Sequence, residues 1–194
     1  MIKVGLTGGI GSGKTTVAKL FEKKGIPVYY TDTKAKHLMT YNKLLKFQII
    51  EAFGKDVYHN NGRLNRKTLA SIIFNDKAKL TLINNLVHPA IAADGKAWYK
   101  AQNTMYAIKE SALMIESGSH HDLDVLVVVT ADIKERIRRV QKRDHVSMKT
   151  VEERINNQLS DAERLAHADY IIDNNDFGKI KEQVDALHEE LVRI

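Results

Sequence analysis

The 194-residue chain has no cysteine. That excludes a disulfide framework, a thiolate zinc site, an iron–sulfur cluster and a cysteine nucleophile, and it is compatible with the cytosol. Long apolar runs are missing as well. Stretches such as Val125 to Val129 are far too short to span a bilayer. Lys3 leads straight into a glycine-rich stretch, a pattern unlike a signal peptide. Proline occurs only at positions 27 and 89. No Asn-Lys-x-Asp run is present to specify a guanine base. What is there is ordinary for a globular protein: 43% hydrophobic and 28% charged residues, in a length suited to one domain or one domain with an insertion. Thirty basic residues against 24 acidic ones leave a formal charge of +6. The excess suggests an anionic partner and leaves nucleic acid, membrane and nucleotide phosphates all open.

Hydropathy patterning predicts alternating strands and helices. Strand candidates are Ile2 to Leu6, Pro27 to Tyr30, Met105 to Ile108, Leu123 to Val129 and Tyr170 to Ile172. The fourth is nearly continuous in apolar residues, as a parallel strand covered on both faces should be. A helix is expected from Lys14, with Val17, Leu20 and Phe21 on one face, ended by Gly25 and Pro27. Another carries Ile180, Val184, Leu187 and Leu191. The alternation argues for an α/β fold with a mostly parallel sheet. Two stretches lack strand patterns. Thr33 to Gln102 reads as a helical insertion punctuated by Gly54, the Asn60–Asn61–Gly62 turn and Pro89. Asp132 to Ala168 is helical and rich in arginine, with Ser160 and Glu163 spaced as a capping box.

The most specific motif is Gly8-Gly9-Ile10-Gly11-Ser12-Gly13-Lys14-Thr15. It has the spacing of a phosphate-binding loop, and it sits between a strand and a helix as that motif requires. Glycines allow the backbone to turn tightly and aim N–H groups at a phosphate chain, and the following helix adds its positive end. Lys14 would take the β- and γ-phosphates, and Thr15 would ligate Mg²⁺.

Two carboxylates follow strands, where parallel sheets bind ligands. Asp32 could accept a proton from a hydroxyl or hold magnesium through water, and it could equally be a helix N-cap. Glu110 is either catalytic or a solvated, helix-start carboxylate. Lys134 to Arg143 holds six basic residues, including Arg136, Arg138, Arg139 and Arg143, beside the one acid Glu135. A solvated basic face accounts for most of them. Arg139 and Arg143, four apart on one face, are the pair suited to stabilising a transferring phosphoryl group. The absence of interleaved aromatics speaks against nucleic acid. The adjacent His120 and His121 read as a surface turn rather than a metal site.

Together these segments resemble the dephospho-coenzyme A kinases over essentially the whole chain. The resemblance runs from Leu6 to Thr16 through Asp32, Leu64 to Ala70 with Ile73-Phe74, Val87-His88-Pro89, Leu113 with Glu116, Arg139, Arg143-Asp144, Arg154, Gln158, Arg164-Leu165 and Ala168 to Asn174. It implies a P-loop NTPase fold: a five-stranded parallel sheet flanked by helices, with a helical substrate region and a helical lid. It also implies one kinase domain across residues 1–194, with a core of about 1–32, 103–131 and 169–194, a coenzyme region of about 33–102 and a lid of about 132–168. The implied reaction is transfer of the γ-phosphate of ATP to the ribose 3′-hydroxyl of dephospho-coenzyme A, the last step of coenzyme A synthesis. A nucleoside monophosphate kinase is the rival within the same loop and lid logic.

The resemblance assigns Lys14, Asp32, Arg139 and Arg143 to catalysis, with Asp32 deprotonating the ribose hydroxyl. ATP falls to Gly9, Ile10, Gly11, Ser12, Gly13, Lys14, Thr15, Thr16, Arg143 and Asn174, with Mg²⁺ on Thr15. The acceptor falls to Thr7, Asp32, Arg66, His88, Pro89 and Glu110. Arg66 either binds an acceptor phosphate or anchors the insertion by a salt bridge. His88 could instead cap a helix or fill a core, and Asn174 could be a turn residue. Tyr30, Ser111 and Asp176 stand where family members often have Asp, Pro and Gly. ATP and dephospho-coenzyme A are the implied partners of a cytoplasmic monomer or weak homo-oligomer, without nucleic acid or membrane.

Overall fold

The computed structural model describes residues 1–73 and 76–194. Phe74, part of the resemblance, lies outside the described residues. In chain order the elements are β1 (Ile2–Thr7), α1 (Lys14–Glu22), β2 (Val28–Tyr30), α2 (Thr31–Tyr41), α3 (Lys43–Phe53), α4 (Arg66–Ile73) and α5 (Lys77–Lys100). Then follow β3 (Tyr106–Glu110), β4 (Val125–Thr130), α6 (Ile133–Asp144), α7 (Met148–Asn156), α8 (Asp161–Leu165), β5 (Tyr170–Asp173) and α9 (Phe177–Arg193). They form two compact units: residues 1–30 with 102–194, and residues 31–101. No helix among the described residues is long and apolar enough to cross a membrane.

The larger unit is built on a five-stranded sheet in the order β2-β3-β1-β4-β5, with every pairing parallel. All five strands fall where hydropathy placed them. Val127 and Val129 of β4 join Val17 and Phe21 of α1 and Ile180, Val184, Leu187 and Leu191 of α9 on one face. Leu126 and Val128 pack with Met114 and Ile115 on the other. This is why β4 has no polar alternation. Each fully buried side chain of this kind contributes roughly 1.5–3 kcal/mol. The chain leaves β1 toward β2 and leaves β4 toward β5, in opposite directions along the sheet. The C-terminal ends of β1 and β4 therefore flank a switch point, where such sheets bind ligands.

The smaller unit, residues 31–101, is helical, apart from an isolated antiparallel bridge between Tyr58 and Leu64 across the Gly62 turn. Asn42 and Asp76 cap α3 and α5 through the N–H groups of Leu45 and Lys79. One expectation is overturned. Pro89 does not interrupt the helical pattern but lies inside α5. Ile83, Val87, Ile91, Gly95 and Tyr99 form a buried stripe on both sides of it. α5 packs against α2, α3 and α4, and burying its apolar stripe offsets the backbone hydrogen bond that a proline cannot donate.

Candidate active site

The loop 8–13 connects the central strand β1 to α1. Gly13 precedes the helix with φ 97° and ψ 23°, and α1 has no side-chain N-cap. Its first turn therefore presents N–H groups and the positive helix end to a ligand. Gly13 also needs to be glycine for space, since a Cβ there would collide with the Asn174 amide. The Lys14 ammonium donates to the carbonyls of Gly8 at 2.8 Å and Gly9 at 3.3 Å. Thr15 is exposed in the first helical turn. The hydroxyls of Thr7 and Ser12 are fully buried and have no hydrogen-bond partner among the described residues. A buried hydroxyl without a partner is costly, and two of them at one loop mark where an incoming oxygen would be received.

The segment between β4 and β5 encloses this loop. Arg139 donates through Nη2 to the Asn174 carbonyl at 2.8 Å. Its Nη1 is buried without a partner among the described residues and lies 3.9 Å from where a Gly13 Cβ would stand. Asn174, only 4% exposed, donates its side-chain amide to the Ser12 carbonyl at 2.7 Å. It is thus a strut of the loop, not a free turn residue. Arg143 is not brought to the loop. It is exposed and hydrogen-bonded to Asp144 at 2.7 and 3.1 Å. Asp144 also receives Arg154 at 2.7 Å. The hydrogen bonds from Arg143 and then Arg154 hold its carboxyl down to about 2.

Glu110 ends β3, paired in register with Leu6 of β1 and Tyr30 of β2, and is 6% exposed. It is a buried carboxylate at the ligand edge of the sheet, which corrects the solvated or helix-start alternative. Tyr30 occupies the neighbouring strand end. Burial, reinforced by the Glu22 and Glu110 carboxylates, pushes its phenol up, so it stays protonated. Magnesium takes hard oxygen donors, usually one or two from protein with the rest from phosphates and water. The Thr15 hydroxyl, the Glu110 carboxylate and the buried Thr7 and Ser12 hydroxyls fit that preference.

The remaining candidates belong to residues 31–101. Asp32 is exposed in the first turn of α2, two residues beyond the end of β2. Arg66 opens α4 and is exposed, with no ion pair or side-chain hydrogen bond among the described residues. The salt-bridge alternative for it is therefore not realised. His88 and Pro89 are exposed at the middle of α5, so His88 neither caps that helix nor fills a core. His120 and His121 lie in the short 3₁₀ turn Ser119–Asp122, with His167 stacked edgewise at 5.2 Å.

Sequence reasoning missed Arg136. Grouped with a solvated basic face, it is instead 2% exposed and donates from Nε to the Ile10 carbonyl at 2.9 Å. The signal was present: Arg136 lies four residues before buried Val140 and beside buried Ile137, on the inward stripe of α6.

A family model described as dephospho-CoA kinase matches residues 2–181. The dephospho-CoA kinase of Salinibacter ruber is 38% identical over 180 residues, covering 90% of this chain and 89% of that protein. That of Mannheimia succiniciproducens is 35% identical, covering 98% of this chain and 92% of its own. A crystal structure of a Thermus thermophilus protein superposes with a TM-score of 0.87 at 30% identity, covering 98% of this chain and 97% of that one. A shikimate kinase from Bacteroides thetaiotaomicron matches with a TM-score of 0.54 at 16% identity, covering 98% of each chain, a likeness of fold alone. The fold is that of the P-loop NTPases, and the chain belongs to the dephospho-CoA kinase family.

Proposed function

We propose that this protein is a dephospho-CoA kinase, transferring the γ-phosphate of ATP to the ribose 3′-hydroxyl of dephospho-CoA to give CoA and ADP. The observation that carries the reading is the phosphate loop: Lys14, Arg139 and two unpartnered buried hydroxyls converge on it in a chain whose family match spans residues 2–181. Phosphoryl transfer demands mostly positioning and charge stabilisation. Between Gly9 and Thr16, the loop N–H groups not already held within the protein, as that of Ile10 is on Gln158, bind the phosphate chain, and Lys14 exchanges the carbonyls of Gly8 and Gly9 for β- and γ-oxygens. Arg139 stabilises charge on the transferring group, and Arg143 joins it by leaving Asp144. Thr15 would be the protein ligand of the magnesium that accompanies ATP and Glu110 would reach it through water; the ion would supply neutralisation of phosphate charge. Asp32 accepts the proton of the ribose hydroxyl, while Thr7, Arg66, His88 and Pro89 serve the acceptor.

Two phosphorylated small molecules also account for the +6 charge. The reading carries with it a single kinase domain with the region of about 33–102 for the coenzyme and the segment 132–168 as a lid. It describes a cytoplasmic monomer or weak homo-oligomer acting without nucleic acid or membrane. The test is acceptor choice. With Mg-ATP, ADP release is expected with dephospho-CoA and not with AMP, CMP, UMP or dTMP. Turnover with a monophosphate and none with dephospho-CoA overturns the proposal in favour of a nucleoside monophosphate kinase.

A further inference from the structure

Ile10, at the apex of the phosphate loop, is held by both polar groups of its backbone. Its N–H donates to Gln158 Oε1 at 2.8 Å, and its carbonyl accepts from Arg136 Nε at 2.9 Å. The two side chains come from different places, α6 and the turn after α7. Gly9 is what admits the guanidinium, because a Cβ there would collide with Arg136 Nη2.

Arg136 is itself fixed from behind. Its Nη1 donates to both carboxylate oxygens of Asp161, at 2.9 and 2.6 Å. Asp161 is shared with Arg164, which is 1% exposed and donates to it at 2.7 Å and to the Leu159 carbonyl at 2.8 Å. Asp161 opens α8, whose start is set by the reciprocal Ser160–Glu163 capping box. Two guanidinium groups are thus withdrawn from water around one carboxylate. Burying charge in this way is a poor source of stability compared with apolar packing. What it does provide is a fixed position and two directed donors. One turn along α6 from Arg136, Arg139 is held on Asn174, which in turn holds the Ser12 carbonyl. The loop backbone is therefore tied at Ile10 by Arg136 and Gln158, and at Ser12 by Asn174 beyond β5, which Arg139 of α6 holds.

We propose that Arg136 and Gln158 are positioning residues for phosphate transfer: they clasp the Ile10 peptide so that the remaining loop N–H groups are aimed before the phosphates arrive. The inference rests on the reading that this loop receives the donor phosphates. Preorganised donors cost no rearrangement during reaction, and a misplacement of about 1 Å can lower a rate on the order of 100-fold.

Gln158 gives the clean test, because it is only half-buried and carries no charge. Gln158→Ala removes the acceptor for the Ile10 N–H, and Gln158→Met removes it while keeping the volume. Both variants are expected to weaken ADP binding, read by calorimetric titration, by roughly 10-fold or more and to lower kcat. KM for dephospho-CoA and the melting temperature should stay near wild type. Arg136→Met should do the same, and if it fails to fold the two Gln158 variants still decide. Wild-type ADP affinity and kcat in Gln158→Ala would overturn the proposal. So would restoration of both by Gln158→Met, which would reduce Gln158 to packing. If the wild type binds ADP but does not phosphorylate dephospho-CoA, the functional reading fails while the ADP titrations still decide the clasp. A wild type that binds no ADP defeats both.

Discussion

The surroundings of the phosphate loop and the helical residues 31–101 are built in opposite ways. Around the loop, polar groups are buried and tied to one another: Arg136 and Gln158 to Ile10, Asn174 to Ser12, Arg139 to Asn174. In residues 31–101 the candidate side chains Asp32, Arg66, His88 and Pro89 all stand exposed on helices whose inward stripes do the packing. The contrast teaches that the loop is tied down by directed hydrogen bonds from its neighbours, whereas the residues proposed for the acceptor stand on helix surfaces. Substitutions at the loop should therefore act on chemistry and nucleotide binding. Substitutions on the helices should act with little effect on the nucleotide.

The largest expected effect is at Lys14. Lys14→Ala should lower kcat by roughly 100- to 1,000-fold or more, as loss of a donor to transition-state charge does. Its melting temperature should hold, because the half-buried Lys14 side chain donates to the Gly8 and Gly9 carbonyls of the loop itself. A rate within a few-fold of wild type would break the comparison at its strongest point.

Asp32→Asn comes next. A general base contributes at least roughly 100-fold, so kcat should fall by about that factor while KM for ATP stays unchanged. A change confined to KM would leave Asp32 as an acid favouring the N-terminus of α2.

The smallest effect is at Asp144, which two exposed arginines, Arg143 and Arg154, share. Its carboxyl is lowered from its ordinary 3.8 to about 2 by Arg143 and Arg154. A depressed carboxylate stabilises the fold fully above its unfolded pKa and loses that contribution as pH falls toward the folded one. The melting temperatures of wild type and Asp144→Asn should therefore differ slightly at neutral pH and converge between about pH 4 and 2. For so exposed a cluster the difference should be under ~1 kcal/mol. A gap that does not change with pH would assign the loss to something other than this ion pair.

Much of the architecture was legible because it rests on local patterns. The five strands follow from short apolar runs, and the loop follows from a glycine-lysine spacing set between a strand and a helix. What stayed hidden depends on distant partners. Pro89 looked like a break because a helix stripe's packing is invisible to local propensity. Arg136 looked solvated because nothing nearby in sequence announces Asp161, twenty-five residues on. Glu110 reads as a helix start because its place in the sheet, in register with Leu6 and Tyr30, is set by strands distant in sequence. Arg143 looked like a partner of Arg139 because they are four apart, yet the adjacent Asp144 competes for it.

The acceptor oxygen is the centre of the account, and the ³¹P spectrum of the product reads it directly. After incubation of the protein with Mg-ATP and dephospho-CoA, one new phosphomonoester is expected, on the ribose 3′-hydroxyl, growing in step with ADP. Phosphate released only as the free ion, or carried only by an added nucleoside monophosphate, would contradict it.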